Sequence, residues 1–272
     1  MAEARAVEPM TVPKFLARKG GDPLVCLTAY STPVARLLDP YVDLLLVGDS
    51  VGVVEHGLPT TIGVTVAEMI SHGKAVMRGA KHALVAVDLP FGSYEGSTAQ
   101  AFSTASHIMR ETGCAAVKLE GGVAMIEIVA FLSARGVPVI GHVGLRPQSV
   151  HLMGGYKAVG RHRRDWDAIE ADAKAVAEAG AFAIVLEGVA EPLAARITEA
   201  VPVPTIGIGA SARCDGQILV TNDLLGLTEN PPRFAKRFVN LAPLIAEAAA
   251  TFAAQVKTRR FPAPENTYSA KD

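Results

Sequence analysis

Eight short aliphatic runs, separated by stretches of helical periodicity, leave this chain few architectures to choose from. They lie at 24–30, 42–49, 84–89, 115–120, 137–142, 182–187, 203–208 and 217–222, each bounded by Gly, Pro or polar residues. Runs so uniformly apolar read as strands buried on both faces, the mark of a parallel sheet, rather than as half-wet strands that alternate. Helix starts stand between them. Thr65-Val-Ala-Glu68 and Ser97-Thr-Ala-Gln100 both fit a capping box, followed by the apolar stripes Met69, Ile70, Val76 and Ala101, Ala105, Ile108. Further helices are predicted over 13–19, 166–179, 192–200 and 241–256. Strict strand–helix alternation predicts an α/β protein, and eight repeats favour a closed (β/α)8 TIM barrel over a doubly wound open sheet. The expected organisation is a flexible leader at 1–10, a single barrel domain over 11–260 and a C-terminal tail at 261–272.

Composition narrows the function classes. Half of the 272 residues are hydrophobic and 19% are charged, enough apolar material for a large core and too much for a disordered chain. A formal charge of −1 gives nothing global that attracts nucleic acid or an anionic membrane. The one dense basic stretch, Arg161-His162-Arg163-Arg164, reads first as a solvated loop and second as a contact for an anionic ligand. Cys26, Cys114 and Cys214 are odd in number and far apart, which suggests neither a disulfide framework nor a zinc site. With no signal-peptide core and no apolar run of spanning length, a cytoplasmic protein is expected.

The chemistry-bearing residues stand at strand ends. Asp49, Asp88 and Glu120 each close an aliphatic run, where the C-terminal face of an α/β barrel binds ligands. Neighbouring parallel strands are about 4.8 Å apart, so three such acids can meet at one site. They would repel one another in a partly dry pocket unless protons or a cation intervened, and a hard ion, Mg²⁺, suits three carboxylates best. Ser50 leaves the strand beside Asp49. Lys118 and Glu120, two apart, share one strand face, so a cation and an anion point the same way. His142 and Glu187 end two further runs, Glu187 as a candidate general base. Plainer roles compete: a turn for Asp49, a mutual ion pair for Lys118 and Glu120, a satisfied core side chain for His142. Two long connections, 50–64 and 144–165, would overhang this face as lids. Gly207-Ile208-Gly209-Ala210 lacks the full dinucleotide fingerprint, and no phosphate-binding GKS/GKT, GxSxG or HExxH motif occurs.

The stretches LTAY, VGDS, TVAEMISH, DLPFGSY, VKLEGG, VPVIGHVGLRPQS, GGYKAVGR, IVLEGV, PTIGIGA, CDGQILV and DLLGL follow one another in an order that resembles the ketopantoate hydroxymethyltransferase family. The resemblance implies a barrel of the phosphoenolpyruvate/pyruvate-domain type. It implies transfer of a hydroxymethyl group from methylenetetrahydrofolate to 2-oxoisovalerate, giving ketopantoate on the pantothenate route. On the same ground Asp49, Asp88 and Glu120 would be the Mg²⁺-associated acids. Asp49, Ser50, Asp88, Lys118 and His142 would hold the keto acid, Glu187 would accept the proton, and ten copies would assemble. Ser31 stands where the family usually has Asp after LTAY, Asn222-Asp223 where it has His-Asp, and Thr60 and Thr61 lie in a loop that often reads HDS. Two rivals are a Mg²⁺-dependent lyase or mutase of the phosphoenolpyruvate mutase and isocitrate lyase group, and a keto-acid binder without turnover.

Overall fold

Each of the eight aliphatic runs carries a strand: β1 Leu24–Thr28, β2 Leu44–Val47, β3 Leu84–Asp88, β4 Ala116–Glu120, β5 Val139–Gly144, β6 Ala183–Glu187, β7 Thr205–Ile208 and β8 Gly216–Leu219. This computed structural model describes residues 8–270. The strands are parallel and pair in sequence order, and β8 returns to β1 through Leu24–Gly216 to Leu27–Leu219. The expected closed barrel is therefore formed. Every residue of β2, β3 and β4 is buried, which is why these segments read as unbroken apolar runs.

The period of two divides each strand between two environments. Val85, Val87, Val117, Leu119, Ile184 and Leu186 belong to one core shared with Met69, Val76, Ala105, Ile108 and Val176 of the helices. The alternate set, Ala86 and Asp88, Lys118 and Glu120, Ile140 and His142, Val185 and Glu187, points the other way, into the barrel. Small or aliphatic residues fill its lower layers. Charged residues occupy only the C-terminal rim.

The helix Val66–Gly79 starts with both halves of the expected capping box: Glu68 N–H donates to Thr65, and Thr65 N–H to the Glu68 carboxylate. The helix Thr98–Thr112 has only the first half. Gln100 turns instead to Gly96, whose N–H it accepts at 2.9 Å, and to the Gly92 carbonyl. The loop before Ser97 folds back within reach of that amide, so the second half of the predicted box is not made. Gly113, at φ 77°, ends this helix in the left-handed conformation. Val12–Leu16, Trp166–Glu178, Glu191–Ala200 and Leu241–Lys257 answer the other predicted helices. Thr32–Leu38 and Ile126–Ser133 were not predicted, one being short and the other apolar on nearly every side.

The described residues form two compact units, divided after Thr221. The strand ring is complete at Leu219, and the helix Leu241–Lys257 belongs to the second unit. Of the leader at 1–10, residues 1–7 lie outside the described residues. No described helix is long and apolar enough to cross a membrane.

Helix packing around the barrel relies on a close approach at Gly79. A Cβ there would stand 2.5 Å from the Thr32 carbonyl oxygen and 2.8 Å from Ala35 Cβ, and a backbone oxygen cannot step aside cheaply. Gly79→Ala gains up to about 1 kcal/mol of helix propensity but overpacks the contact, at about 1–3 kcal/mol. A thermal melt is expected to show a midpoint lowered by a few degrees. An unchanged or raised midpoint would show that the two helices part without cost.

Candidate active site

Strand register assembles the rim. Asp88 of β3 pairs with Lys118 of β4, and Glu120 of β4 with His142 of β5, each as direct Cα partners. Glu187 ends β6 opposite Gly144, two residues beyond His142. The first acid arrives differently. β2 stops at Val47, and the turn through Gly48 swings Asp49 inward, where its N–H donates to Asp88 Oδ2 at 2.9 Å. A side chain on Gly48 would meet Ser50 Oγ at 2.7 Å, so any larger residue here would push that hydroxyl aside. Ser50 Oγ shares a 2.8 Å hydrogen bond with the Tyr30 hydroxyl. The sequence-predicted residues therefore gather at one mouth. Asp49, Asp88, Lys118, Glu120 and His142 are all at least 95% buried there, and Glu187 is the more exposed member at the edge.

Charges alternate around the rim. Lys118 Nζ is 2.8 Å from Asp88 Oδ1. Burial opposes its charge, but Asp88, Asp49 and Glu120 outweigh that and hold the ammonium above its usual range. His142 sits between two acids, with Nδ1 3.5 Å from Glu120 Oε1 and Nε2 3.3 Å from Glu187 Oε2. Burial and the Lys118 charge push it down, yet the two flanking carboxylates prevail and raise it to about 9. Asp49 is pushed up to about 7, first by burial and then by the charges of Asp88 and Glu120. Lys118 pairs across strands with Asp88, which lies in register beside it, rather than with Glu120 on its own strand, the plainer alternative.

The mouth so described has counterparts among known proteins. Residues 9–264 match the model of a family described as ketopantoate hydroxymethyltransferase. The chain belongs to that family. It is similar to the 3-methyl-2-oxobutanoate hydroxymethyltransferases of Parvibaculum lavamentivorans, 57% identical over 100% of this chain and 99% of the relative, and Rhodospirillum rubrum, 60% identical over 96% and 95%. Among solved structures, a phosphoenolpyruvate phosphomutase from Streptomyces platensis superposes with a TM-score of 0.62 at 13% identity, covering 96% of this chain and 92% of that one. An oxaloacetate acetylhydrolase gives 0.58 at 15% identity, with 96% and 92% covered. At that identity the likeness is one of fold. Membership of the ketopantoate hydroxymethyltransferase family makes the chain an enzyme, a hydroxymethyltransferase.

In this hydroxymethyltransferase the carboxylates carry a telling division of labour. One oxygen of each is tied to the protein: Asp88 Oδ2 accepts from the Asp49 amide, Asp49 Oδ2 from Gln148 Nε2 at 2.8 Å, and Glu120 Oε2 from the Gln148 amide at 3.1 Å. The other oxygens of Asp88 and Glu120 are buried and face cationic side chains instead: Asp88 Oδ1 lies 2.8 Å from Lys118 Nζ, and Glu120 Oε1 lies 3.5 Å from His142 Nδ1. Among the described residues no three His, Cys, Asp or Glu side chains are arranged to hold a metal ion by themselves. A cation at this mouth would therefore have to draw part of its shell from substrate and water.

Gln148 escaped the reading of the sequence. It lies in the second long connection, on the turn Pro147–Ser149, within the stretch VPVIGHVGLRPQS but without a residue type that marks it as a site residue. That connection is also less free than its length suggests. Val159 N–H donates to the Gly188 carbonyl and Ala190 N–H to the Val159 carbonyl, stitching the loop beside Glu187. The Tyr156 phenol on it is pushed up by burial and then by the charges of Asp49, Glu187 and Glu120. The basic run divides: Arg163 stacks on Trp166, Arg164 faces Asp165, and Arg161 and His162 line a cleft of about 400 Å³ with Arg146.

Lys118→Met keeps the stem and removes the charge, and breaking a buried pair in this way costs about 3–5 kcal/mol. The loss is expected to be larger at pH 8 than at pH 5, because Asp49, raised to about 7, gives up its negative charge on the acid side. Thermal unfolding at the two pH values checks this. Equal losses would show that charge is not what Lys118 supplies.

Proposed function

We propose that the chain transfers a hydroxymethyl group from 5,10-methylenetetrahydrofolate to 2-oxoisovalerate, forming ketopantoate for pantothenate synthesis. The relatives are named for that keto acid, 3-methyl-2-oxobutanoate. The observation that carries the reading is the layout of the mouth. Buried oxygens of two carboxylates, Asp88 and Glu120, lie against the Lys118 ammonium and His142, and a further, more exposed carboxylate, Glu187, stands on the other side of His142. Asp49, Asp88 and Glu120 would hold Mg²⁺, which when bound supplies a Lewis acid for the oxygens of a 2-oxo acid.

The chain's own residues then divide the work. Lys118 holds the negative charge that moves onto the keto oxygen as the C3 proton leaves. Ser50, oriented by Tyr30, and Asp49, Asp88 and His142 line the keto-acid site. Glu187 takes the C3 proton. The two flanking carboxylates favour the protonated form of His142, which suits it to balancing Glu120 and Glu187 and leaves Glu187 as the acceptor. The electron pair left at C3 forms the bond to the folate's one-carbon unit, water supplies the hydroxyl, and tetrahydrofolate departs. A lyase or mutase is the weaker reading, since it rests on fold likeness at 13–20% identity.

The exposed apolar face of the helix Leu241–Lys257, where Leu244, Ile245 and Phe252 are each more than half exposed, supports assembly with further copies of this chain, which the family resemblance puts at ten. Three buried free thiols, Cys26, Cys114 and Cys214, accord with a reducing, cytoplasmic setting.

With 2-oxoisovalerate and Mg²⁺ in deuterated water and no folate, deuterium is expected to enter at C3, and Glu187→Gln to slow that exchange by about 10²-fold or more. Exchange undiminished in Glu187→Gln would remove its role as base. A wild type that neither exchanges nor turns over with folate would be a binder. Mg²⁺ should also compete with the proton on Asp49. Its affinity is expected to rise with pH up to about 7 and level off above, with close to one proton released at pH 6, as calorimetry in buffers of different ionisation enthalpy would read. Affinity independent of pH would separate Asp49 from the cation.

A further inference from the structure

Gln148 is 5% exposed, and a buried primary amide is costly unless its donors and acceptor are all engaged. Here they are. The two Nε2 hydrogens go to Asp49 Oδ2 at 2.8 Å and to the Leu89 carbonyl at 3.0 Å. Oε1 accepts from the Tyr94 hydroxyl at 2.7 Å, and the backbone N–H donates to Glu120 Oε2 at 3.1 Å. A single side chain from the connection after β5 thus touches the segments that follow β2 and β3, while its own amide reaches the end of β4. None of these partners is near it in sequence.

The orientation of the amide follows from the chemistry of its neighbours. A carboxylate and a carbonyl only accept, so the NH₂ must face Asp49 and Leu89. The Glu120 N–H donates to the Tyr94 oxygen at 3.1 Å, leaving the phenol's own hydrogen to point away. Its nearer acceptor is Gln148 Oε1, ahead of the Glu120 carbonyl at 3.3 Å. A flipped amide would set Oε1 against two acceptors and NH₂ against the phenol's donor. Asp49 and Leu89 therefore fix which end of Gln148 faces them, and Tyr94 completes the amide by donating to its oxygen.

We propose that Gln148 is a positioning residue: it fixes the spacing of Asp49 and Glu120 and ties one oxygen of each, so that their other oxygens are presented together to cation and substrate. A neutral amide suits this task because it orients two acids without cancelling their charge. A Lys or Arg in its place would tether them equally well and compete with the ion. The inference rests on the Mg²⁺ reading given under Proposed function, and Tyr94 enters it as a second positioning residue that touches neither tethered carboxylate side chain.

The test is Mg²⁺ affinity measured by calorimetry on the full chain with 2-oxoisovalerate present, in wild type, Gln148→Met, Tyr94→Phe and the double variant, with circular dichroism to confirm folding. Gln148→Met is expected to weaken Mg²⁺ about 10–100-fold, the usual range for a residue that orients metal ligands. Tyr94→Phe should weaken it about threefold or more, and the double variant should fall short of the sum of the two losses, since the phenol acts partly through the amide and partly through its own bond with the Glu120 N–H. Wild-type affinity in Gln148→Met, or losses that simply add, overturns the proposal. Should Gln148→Met not fold, Tyr94→Phe decides: it preserves the glutamine, and unchanged affinity there overturns the proposal equally. A wild type that binds no Mg²⁺ would instead bring down the functional reading beneath it.

Discussion

The Lys118 ammonium, 2.8 Å from Asp88 and within the field of Asp49 and Glu120, is the interaction on which the mouth of this barrel depends. Three carboxylates so deeply buried repel one another strongly, and the low local polarity that sharpens their repulsion also sharpens their attraction to one cation. The parallel register of β3 and β4 puts that cation where it is needed without any help from loops. One strand further on the pattern repeats, with His142 placed in register beside Glu120 and facing Glu187. The barrel thus supplies acid and base alternately around its rim, and the site's electrostatics follow from strand pairing.

Loops then add what strands cannot. The turn at Gly48 carries Asp49 inward, although strict alternation would have sent it outward with Leu45 and Val47. Gln148 closes the other side from the connection after β5. Strands place charges to within a residue's spacing, and the loop contacts decide which oxygen of each acid is spoken for. Catalytic geometry is sensitive on that finer scale.

Much of this was legible in the sequence because buried parallel strands are nearly continuous aliphatic runs, and a charge at the end of such a run is conspicuous. All eight strands and the six strand-end residues could be found that way. Gln148 could not, because its partners Asp49 and Glu120 lie 99 and 28 residues away and a glutamine before a serine carries no local signature. The half-formed capping box at Ser97 shows the same limit from the other side. Gln100 has the right spacing, but a tertiary fold-back offers its amide the Gly96 and Gly92 backbone instead. The loop 144–165 reads as a free lid from length alone, while its stitching at Val159 depends on the segment after β6, which no local feature reveals.

The site also sets a cost against stability whose sign can be worked out. Asp49 rises from 3.8 to about 7 on folding and His142 from 6.5 to about 9. A group whose folded value is raised contributes most below its unfolded value, and that contribution is lost as pH climbs through the folded one. Asp49 therefore weakens the metal-free fold between about pH 4 and 7, and His142 withdraws its support between about 6.5 and 9. Both effects run the same way, so the protein without a cation is under growing electrostatic stress across the neutral range. On the proposed Mg²⁺ reading, a divalent ion would relieve that stress most where the acids are ionised. The same burial that makes the carboxylates costly in the bare fold would then favour the cation.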